Sequence, residues 1–228
     1  MRRCFLCWYS LCALQGVAEE KEDRDLSPRA KSIGIFGGTF NPPHIAHIAA
    51  AEAFSRQIDP DVLMIIPDFI PPHKNFAGSV TPEQRLDMCK LAFSHIKNVE
   101  ISDIEIARGG KSYTANTLTE LSADDRELYF LCGTDMFLTL DKWYSPETIF
   151  KLATICYVRR EADSSLEKEI ARCTELYKQK YNARIIPVDM NTVLLSSTEV
   201  REALSKAGKT DSIPLSVMEY IEREGLYK

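Results

Sequence analysis

This sequence has fewer basic than acidic residues. Its 28 lysines and arginines stand against 33 aspartates and glutamates, which gives a net charge of −5. A general nucleic-acid binder needs a basic surface that neutralises the phosphate backbone, so this balance predicts no nucleic-acid partner. A small anionic ligand needs only a few local donors, and the net charge leaves such a ligand open.

Glycine, proline and long apolar runs are not in excess either. The 228 residues include 10 glycines and 11 prolines, with 45% hydrophobic and 27% charged residues, as is ordinary for a globular protein. No apolar run after residue 30 reaches transmembrane length, which predicts no membrane partner. The length suits one α/β domain with a sizeable core, or two small domains.

The cysteines do not form the pattern of a disulfide framework. Three of the seven fall in the first dozen residues, and the others sit singly inside apolar stretches: Cys4, Cys7, Cys12, Cys89, Cys132, Cys156 and Cys173. That distribution is typical of reduced thiols in a cytoplasmic enzyme. Cys4 and Cys7 form a lone C-x-x-C without a second pair at zinc spacing, so no metal site is predicted on the protein.

Short apolar runs alternate with amphipathic ones from Lys31 onward. Six are typical of strands: Ser32–Phe36, Asp61–Pro67, one within Asn98–Ile106, Glu127–Cys132, Ala153–Val158 and Arg184–Val188. Seven are typical of helices: His44–Gln57, Pro82–Ile96, Thr114–Leu121, Pro146–Leu152, Leu166–Tyr181, about Thr198–Lys206 and Leu215–Glu224. The alternation predicts an α/β fold with a doubly wound parallel sheet and helices on both faces. No linker or repeat divides residues 31–228, which we expect to form one domain.

The first strand-to-helix turn is the predicted site, because ligands of such sheets bind beyond the carboxyl ends of the strands. Gly37 and Gly38 let the backbone approach a ligand closely, and the following helix offers unpaired N–H groups and its positive dipole end. His44 and His47, three positions apart, share one face of that helix. Two imidazoles there suit a polyphosphate, and we favour this over an ordinary tight turn.

A second candidate lies at residues 196–201. Ser196, Ser197 and Thr198 could simply cap a helix. Arg201, about one turn further along, adds a guanidinium that can bind phosphate.

These two segments resemble the signatures of the nucleotidylyltransferases. Residues 37–47 are similar to the G-T-F-D-P-x-H-x-G-H pattern, with Asn41 in place of Asp and Ala46 in place of Gly. Residues 196–201 resemble the I-S-S-T-x-I-R motif that holds the β- and γ-phosphates of ATP in that family. The resemblance implies a Rossmann-like domain whose C-terminal helices carry the second phosphate motif.

Three further segments resemble the bacterial nicotinate-nucleotide adenylyltransferase branch. Pro71-Pro72-His73-Lys74 is similar to its P-P-H-K, and residues 112–118 to its S-Y-T-x-D-T-L, with Asn116 in place of Asp. Residues 133–137, followed by Trp143, resemble its G-x-D-x-F and L-x-x-W. The closing segment Ile213–Tyr227 also matches the family and suggests packing beside the phosphate motif.

The resemblance implies adenylyl transfer from ATP to nicotinate mononucleotide, a step in NAD biosynthesis, by positioning and electrostatic stabilisation. Mg²⁺ is expected to arrive with ATP. The catalytic residues it implies are His44, His47, Lys74 and Arg201. The ATP-binding residues it implies are Gly37, Gly38, Thr39, Phe40, His47, Asp135, Ser196, Ser197, Thr198 and Arg201. The substrate-binding residues it implies are Lys74, Ser112, Tyr113, Thr114 and Trp143.

Other interpretations stay open at this point. The acceptor could be nicotinamide mononucleotide, or the chain could be a non-catalytic nucleotide sensor of the same fold. Transferases acting on phosphopantetheine or glycerol phosphate are disfavoured by Lys74, Tyr113 and Trp143, and a class I aminoacyl-tRNA synthetase by the missing tRNA-binding module. The oligomeric state is not predicted.

Residues 1–30 resemble nothing in that family. Arg2 and Arg3 precede the uncharged stretch Cys4–Ala18 and the charged run Glu19–Asp25, an order typical of a secretory signal peptide. Since the remainder resembles an ATP-using enzyme, we favour an overlong start or a poorly ordered extension, and a cytoplasmic location.

Overall fold

Parallel pairing organises the protein around one sheet. The computed structural model describes residues 30–72, 80–160, 166–190 and 195–228, without the side chains of Arg159 and Arg160. Within these residues the strands are β1 (Ser32–Gly38), β2 (Val62–Pro67), β3 (Val99–Ile101), β4 (Glu127–Cys132), β5 (Ala153–Arg160) and β6 (Ile185–Met190). All pair in parallel, in the order β3-β2-β1-β4-β5-β6. The order reverses between β1 and β4, so the crevice for a ligand opens there.

Helices connect successive strands and cover the sheet. They are α1 (Ile45–Ile58), α2 (Pro82–Phe93), α3 (Ile104–Arg108), α4 (Thr114–Leu121), α5 (Thr134–Phe137), α6 (Pro146–Leu152), α7 (Glu167–Tyr181), α8 (Ser197–Ala207) and α9 (Leu215–Glu224), with a 3₁₀ turn at Leu140–Lys142. None of the helices in the described part of the chain is long and apolar enough to cross a membrane.

The hydrophobic core has two layers because successive strand residues point to opposite faces of the sheet. Phe36 and Ile65 pack in one layer with residues of α1, α2, α8 and α9. Ile35 and Ile66, their neighbours in sequence, pack in the other layer with residues of α4, α6 and α7. Helices therefore lie on both faces, which confirms the predicted doubly wound α/β fold.

The predicted strands and helices are present, and the short helices α3 and α5 were not predicted. The run Asn98–Ile106 holds β3, as expected, which pairs with β2 as far as Ile101, and α3 begins at Ile104. Between them, the Ser102 N–H donates to the Ile65 oxygen at 2.9 Å, and the Ser102 hydroxyl accepts from the Ile104 N–H at 3.3 Å. The run Ile104–Arg108 alternates in hydrophobicity but forms a helix that buries Glu105.

The thiols of the described cysteines are free and buried, as their placement in apolar stretches predicted. Burial raises the pKa of Cys156 to about 12 and that of Cys132 further above its ordinary value. Such thiols remain protonated and unreactive at neutral pH. The first three cysteines, and the extension to which they belong, lie outside the described residues.

Gly34 leaves room for the contact between β1 and α1, which gives a testable consequence. A Cβ atom at Gly34 would lie 2.8 Å from Cε1 of Phe54 and 3.1 Å from Cγ of Pro60. We expect Gly34→Ala to lower the free energy of unfolding by about 1–3 kcal/mol, because the fully buried Phe54 ring must move. Denaturation in guanidinium chloride measures the change. Gly37→Ala is the control, since its Cβ would meet nothing closer than 3.9 Å, and equal losses in both variants would contradict the steric explanation.

Candidate active site

A pocket of about 280 Å³ opens where the strand order reverses, at the carboxyl ends of β1 and β4. Residues from distant parts of the sequence meet in its wall. The predicted site residues that line it are Gly37, Gly38, Thr39, Phe40, His47, Ser112, Tyr113, Thr114, Trp143 and Ser197. The fold therefore brings both phosphate motifs and the predicted substrate segment to one cavity.

The turn after β1 is held by the ring of Phe40. That side chain is 1% exposed and packs edge-on against Phe36, His47 and Phe93, with ring centroids 5.4, 5.1 and 5.7 Å away. Phe40 adopts a positive φ of 47°, which is unusual for a residue with a Cβ atom. Its ring thus anchors the turn in the core while its backbone remains at the pocket.

The two histidines of the turn stack on each other, with ring centroids 3.7 Å apart. His44 is the N-cap residue of α1, and its backbone N–H donates to Nδ1 of His47 at 3.3 Å. Because Nδ1 of His47 accepts, the neutral ring carries its proton on Nε2. His47 also lines the pocket. This tautomer gives His47 the donor atom that an anionic ligand requires.

His44 lies behind His47 and is 3% exposed. Burial lowers the pKa of His44 to about 4, although the nearby Glu199 carboxylate opposes the shift. The ring is therefore neutral at neutral pH. Its Nδ1 is a buried atom that has no hydrogen-bond partner among the described residues.

The second motif both caps a helix and faces the pocket. Ser196 Oγ accepts from the Glu199 N–H at 3.2 Å, and the Glu199 carboxylate accepts from the N–H and hydroxyl of Ser196 at 2.7 Å each. This reciprocal capping box fixes the start of α8. Ser197 lines the pocket, whereas Thr198 is exposed and accepts from Arg201 at 3.1 Å.

Arg201 joins the two motifs. Its Nη1 donates to the backbone oxygen of Asn41 at 2.9 Å, across 160 residues of sequence. The guanidinium thus sits between α8 and the turn after β1. The two motifs, far apart in sequence, are therefore in direct contact.

Arg85 is a buried guanidinium beneath the same turn, and the sequence reading missed it. It donates to the Thr39 oxygen at 2.7 Å, to Asp68 Oδ1 at 3.0 Å and to the Asp68 backbone oxygen at 2.6 Å. The Thr39 hydroxyl donates to Asp68 Oδ2 at 2.8 Å, which closes the network. A signal existed in the sequence, because Arg85 shares a helical stripe with the buried Met88, Cys89 and Ala92.

A second buried network supports the predicted substrate segment. The Ser112 hydroxyl accepts from the Phe69 N–H at 2.9 Å and hydrogen-bonds to Glu105. Glu105 Oε1 also accepts from the Thr117 hydroxyl at 2.6 Å, and Arg108 donates to that hydroxyl at 3.0 Å. Burial raises the pKa of Glu105, while these hydrogen bonds act against the shift. The Ser112 hydroxyl therefore holds the start of α4 in place beside the pocket.

Aromatic rings form the outer part of the wall. Trp143 is half-buried, packs edge-on against Phe130 at 6.3 Å and lines the pocket. Tyr144 is 56% exposed and lies 4.5 Å from Tyr113 between ring centroids. One edge of the Trp143 indole thus packs inward while the residue also lines the pocket.

Of two further predicted site residues, one lies away from the pocket wall and the other lies outside the described residues. Asp135 was expected at the end of a strand, but it lies exposed in the first turn of α5, because β4 already ends at Cys132. It is not part of the pocket wall. Lys74 lies outside the described residues.

Carboxylates in the pocket wall are already engaged. Asp68 is bonded to Arg85 and Thr39, and Glu105 to Thr117. Among residues with described positions, no group of three or more His, Cys, Asp or Glu could hold a metal ion. The side chains and backbone of the described pocket wall thus offer hydrogen-bond donors for an anion.

The Arg85–Asp68 pair should be costly to break. We expect Arg85→Met to lower the free energy of unfolding by about 3–5 kcal/mol, because the Asp68 carboxylate stays buried without its guanidinium. Guanidinium chloride denaturation gives the value. Lys90→Met on the same helix is the control, since its pair with Asp87 is about half exposed on both sides, and should cost about 0–1 kcal/mol. Similar losses in both variants would contradict a structural role for the buried pair.

Comparisons with known proteins agree with this geometry. The cytidylyltransferase-like family model matches residues 35–203. Three curated relatives carry the name "probable nicotinate-nucleotide adenylyltransferase". That of Caldicellulosiruptor saccharolyticus is 36% identical, with 86% of this chain and 98% of the relative covered. That of Shewanella woodyi is 34% identical, with 86% of this chain and 99% of the relative covered. That of Listeria monocytogenes serotype 4b is 32% identical, with 86% of this chain and 96% of the relative covered.

Solved structures show the same fold. The nicotinic acid mononucleotide adenylyltransferase of Plasmodium falciparum complexed with NaAD matches with a TM-score of 0.66 at 18% identity, covering 86% of this chain and 97% of that one. The same enzyme complexed with APC matches with a TM-score of 0.65. Taken with the matching curated relatives, these findings establish that the chain belongs to the nicotinate-nucleotide adenylyltransferases of the cytidylyltransferase-like family.

Proposed function

We propose that the protein transfers the adenylyl group of ATP to the phosphate of nicotinate mononucleotide, giving deamido-NAD and pyrophosphate, a step in NAD biosynthesis. The observation that carries the proposal is the Arg201 contact with the turn after β1, which makes one anion site from two phosphate motifs. The pocket wall joins that turn and Ser197 to Tyr113, Thr114 and Trp143, so the predicted ATP and acceptor segments share one cavity.

The reaction needs no nucleophile from the protein. A phosphate oxygen of the mononucleotide attacks the α-phosphorus of ATP, a new P–O bond forms, and the bond to the β-phosphate oxygen breaks. We infer that the Gly37 and Gly38 backbone and the Nε2–H of His47 stabilise the negative charge around the α-phosphorus. Ser196, Ser197, Thr198 and Arg201 would hold the departing β- and γ-phosphates, with Mg²⁺ entering as part of the ATP substrate.

The remaining predicted site residues have the following roles in the proposal. Thr39 and Phe40 would border ATP through their backbone, since the Phe40 ring is buried. His44 would support His47, and Lys74 would reach a reacting phosphate. Asp135 would accept a hydrogen bond from a ribose hydroxyl of the nucleotide, since its exposed position leaves its carboxylate accessible.

The acceptor would bind at the start of α4. The first N–H groups of that helix and its dipole favour an anion, so a nicotinate carboxylate suits the position near Tyr113 and Thr114. The Ser112 hydroxyl would act through its bonds to Phe69 and Glu105, which fix this helix start. Trp143 can stack on the cationic pyridinium ring, a contact of about 1 kcal/mol.

We further propose that residues 31–228 form one catalytic unit and that the enzyme works in the cytoplasm. The two-layered core extends from Ile33 in β1 to Leu226 near the end of the chain, which supports a single unit. The free, buried cysteines fit a reducing compartment.

Acceptor choice tests the proposed function. Pyrophosphate release from Mg·ATP should show a kcat/KM for nicotinate mononucleotide at least ~10-fold above that for nicotinamide mononucleotide, because the helix start favours the carboxylate over the amide. A coupled pyrophosphate assay measures both acceptors in parallel. Preference for the amide would keep adenylyl transfer but reject the proposed acceptor. ATP binding without release with either acceptor would instead favour the nucleotide sensor.

Removal of the His47 donor tests the mechanism. We expect His47→Ala to lower kcat about 10²-fold, since one preorganised donor to the reacting phosphate is lost. The steady-state rate of pyrophosphate release gives the change. His95→Ala is a matched control, because His95 is an exposed histidine paired with Glu52 at 3.0 Å and remote from the pocket wall. Turnover of His47→Ala at the control rate would reject the role of His47.

A further inference from the structure

The C-terminal end of the chain returns to the phosphate-binding turn. The Tyr227 hydroxyl donates to Oδ1 of Asn41 at 2.5 Å, across 186 residues of sequence. Asn41 is buried, and Arg201 holds its backbone oxygen at 2.9 Å. One residue of the turn is thus fixed at two atoms by two different C-terminal segments.

Tyr227 is placed by packing rather than by chance contact. The helix α9 ends at Gly225 in a left-handed conformation, and the Leu226 N–H donates to the Ile221 oxygen at 3.0 Å. Leu226 then packs in the core layer beside α2 and α9. The packing of Leu226 thus places the Tyr227 hydroxyl within hydrogen-bond distance of Asn41.

The backbone of Tyr227 supports this interpretation. Its φ of 59° is unfavourable for a residue with a Cβ atom. Such a conformation persists only where the surroundings determine it. Burial raises the pKa of Tyr227 well above its ordinary value, although the guanidinium groups of Arg201 and Arg85 act against the shift. The hydroxyl therefore stays protonated and can donate to Asn41 at neutral pH.

We propose that Tyr227 is a positioning residue for adenylyl transfer, which fixes Asn41 and through it the start of α1 with His44 and His47. Asn41 stands between Phe40, which the core anchors, and His44, which caps α1. A displaced Asn41 would change the orientation of the stacked rings, of which His47 lines the pocket. The inference rests on the proposed function, and it makes the final turn of the chain part of the active-site support.

Tyr227→Phe tests the proposal, because it removes only the hydroxyl. We expect kcat to fall about 3- to 10-fold, the loss expected for one hydrogen bond that acts mainly on transition-state geometry. The KM values for ATP and the mononucleotide should change less than ~2-fold, because the groups that bind both substrates remain. Tyr129→Phe is the matched control, since it removes a tyrosine hydroxyl bond of 2.9 Å to Glu127 at the opposite end of β4.

A double-mutant cycle separates this route from a general loss of stability. Asn41→Ala removes the acceptor, so Tyr227→Phe in that background should change kcat less than ~2-fold. Additive losses in the cycle would overturn the proposal. The proposal would also be overturned if Tyr227→Phe lowered the denaturation midpoint much more than Tyr129→Phe does and the cycle showed no coupling in kcat.

A readout without substrate keeps this inference separate from the proposed function. The ¹H–¹⁵N signals of the His44 and His47 rings should shift in Tyr227→Phe and remain in place in Tyr129→Phe. If the wild-type protein released no pyrophosphate, the proposed function would fail, and the ring signals would still decide whether Tyr227 positions the histidines. Unchanged ring signals in Tyr227→Phe would overturn the positioning role.

Discussion

The hydrogen bond from Arg201 to the backbone oxygen of Asn41 is the contact on which the site depends. Each phosphate motif alone is an ordinary structural device: a glycine turn before α1, and a capping box at the start of α8. Globular proteins contain many such turns and caps. Their contact brings together the turn, a helix start and a guanidinium, and each of these groups favours an anion.

The buried guanidinium of Arg85 holds the turn after β1 in place beneath this contact. Arg85 is fully enclosed, yet its hydrogen bonds reach the carbonyl of the phosphate turn and both the side chain and backbone of Asp68. Apolar residues of similar volume often replace a buried ion pair without loss of stability. Here the guanidinium supplies what an apolar side chain cannot, since it satisfies backbone oxygens at the ends of β1 and β2. The pair therefore fixes the shape of the pocket floor.

Much of the fold could be predicted because its strands are short apolar runs separated by recognisable turns and caps. The helix at Ile104–Arg108 was not predicted, since five residues of alternating character fit a strand and a single helical turn equally well. The pocket was predictable where motifs were contiguous, as at residues 37–47. Arg85 and Glu105 were missed, and Tyr227 was expected only to pack beside the phosphate motif, because their importance arises from contacts between distant segments. The position of Arg85 in an apolar stripe was nevertheless a legible signal.

The departures from the family signature fall where the structure tolerates them. Ala46 is only half-buried, so its methyl group has space, and Asn116 is exposed on α4. Asn41 is different, because it is buried beside the phosphate turn. The Asn41 side-chain oxygen accepts the hydrogen bond of the Tyr227 hydroxyl, as a carboxylate oxygen would, and the Asn41 backbone oxygen accepts from Arg201. The geometry therefore needs no negative charge at this position. An uncharged residue there also avoids repulsion with a bound polyphosphate. The substitution is thus compatible with catalysis because position 41 works through hydrogen-bond geometry rather than through charge.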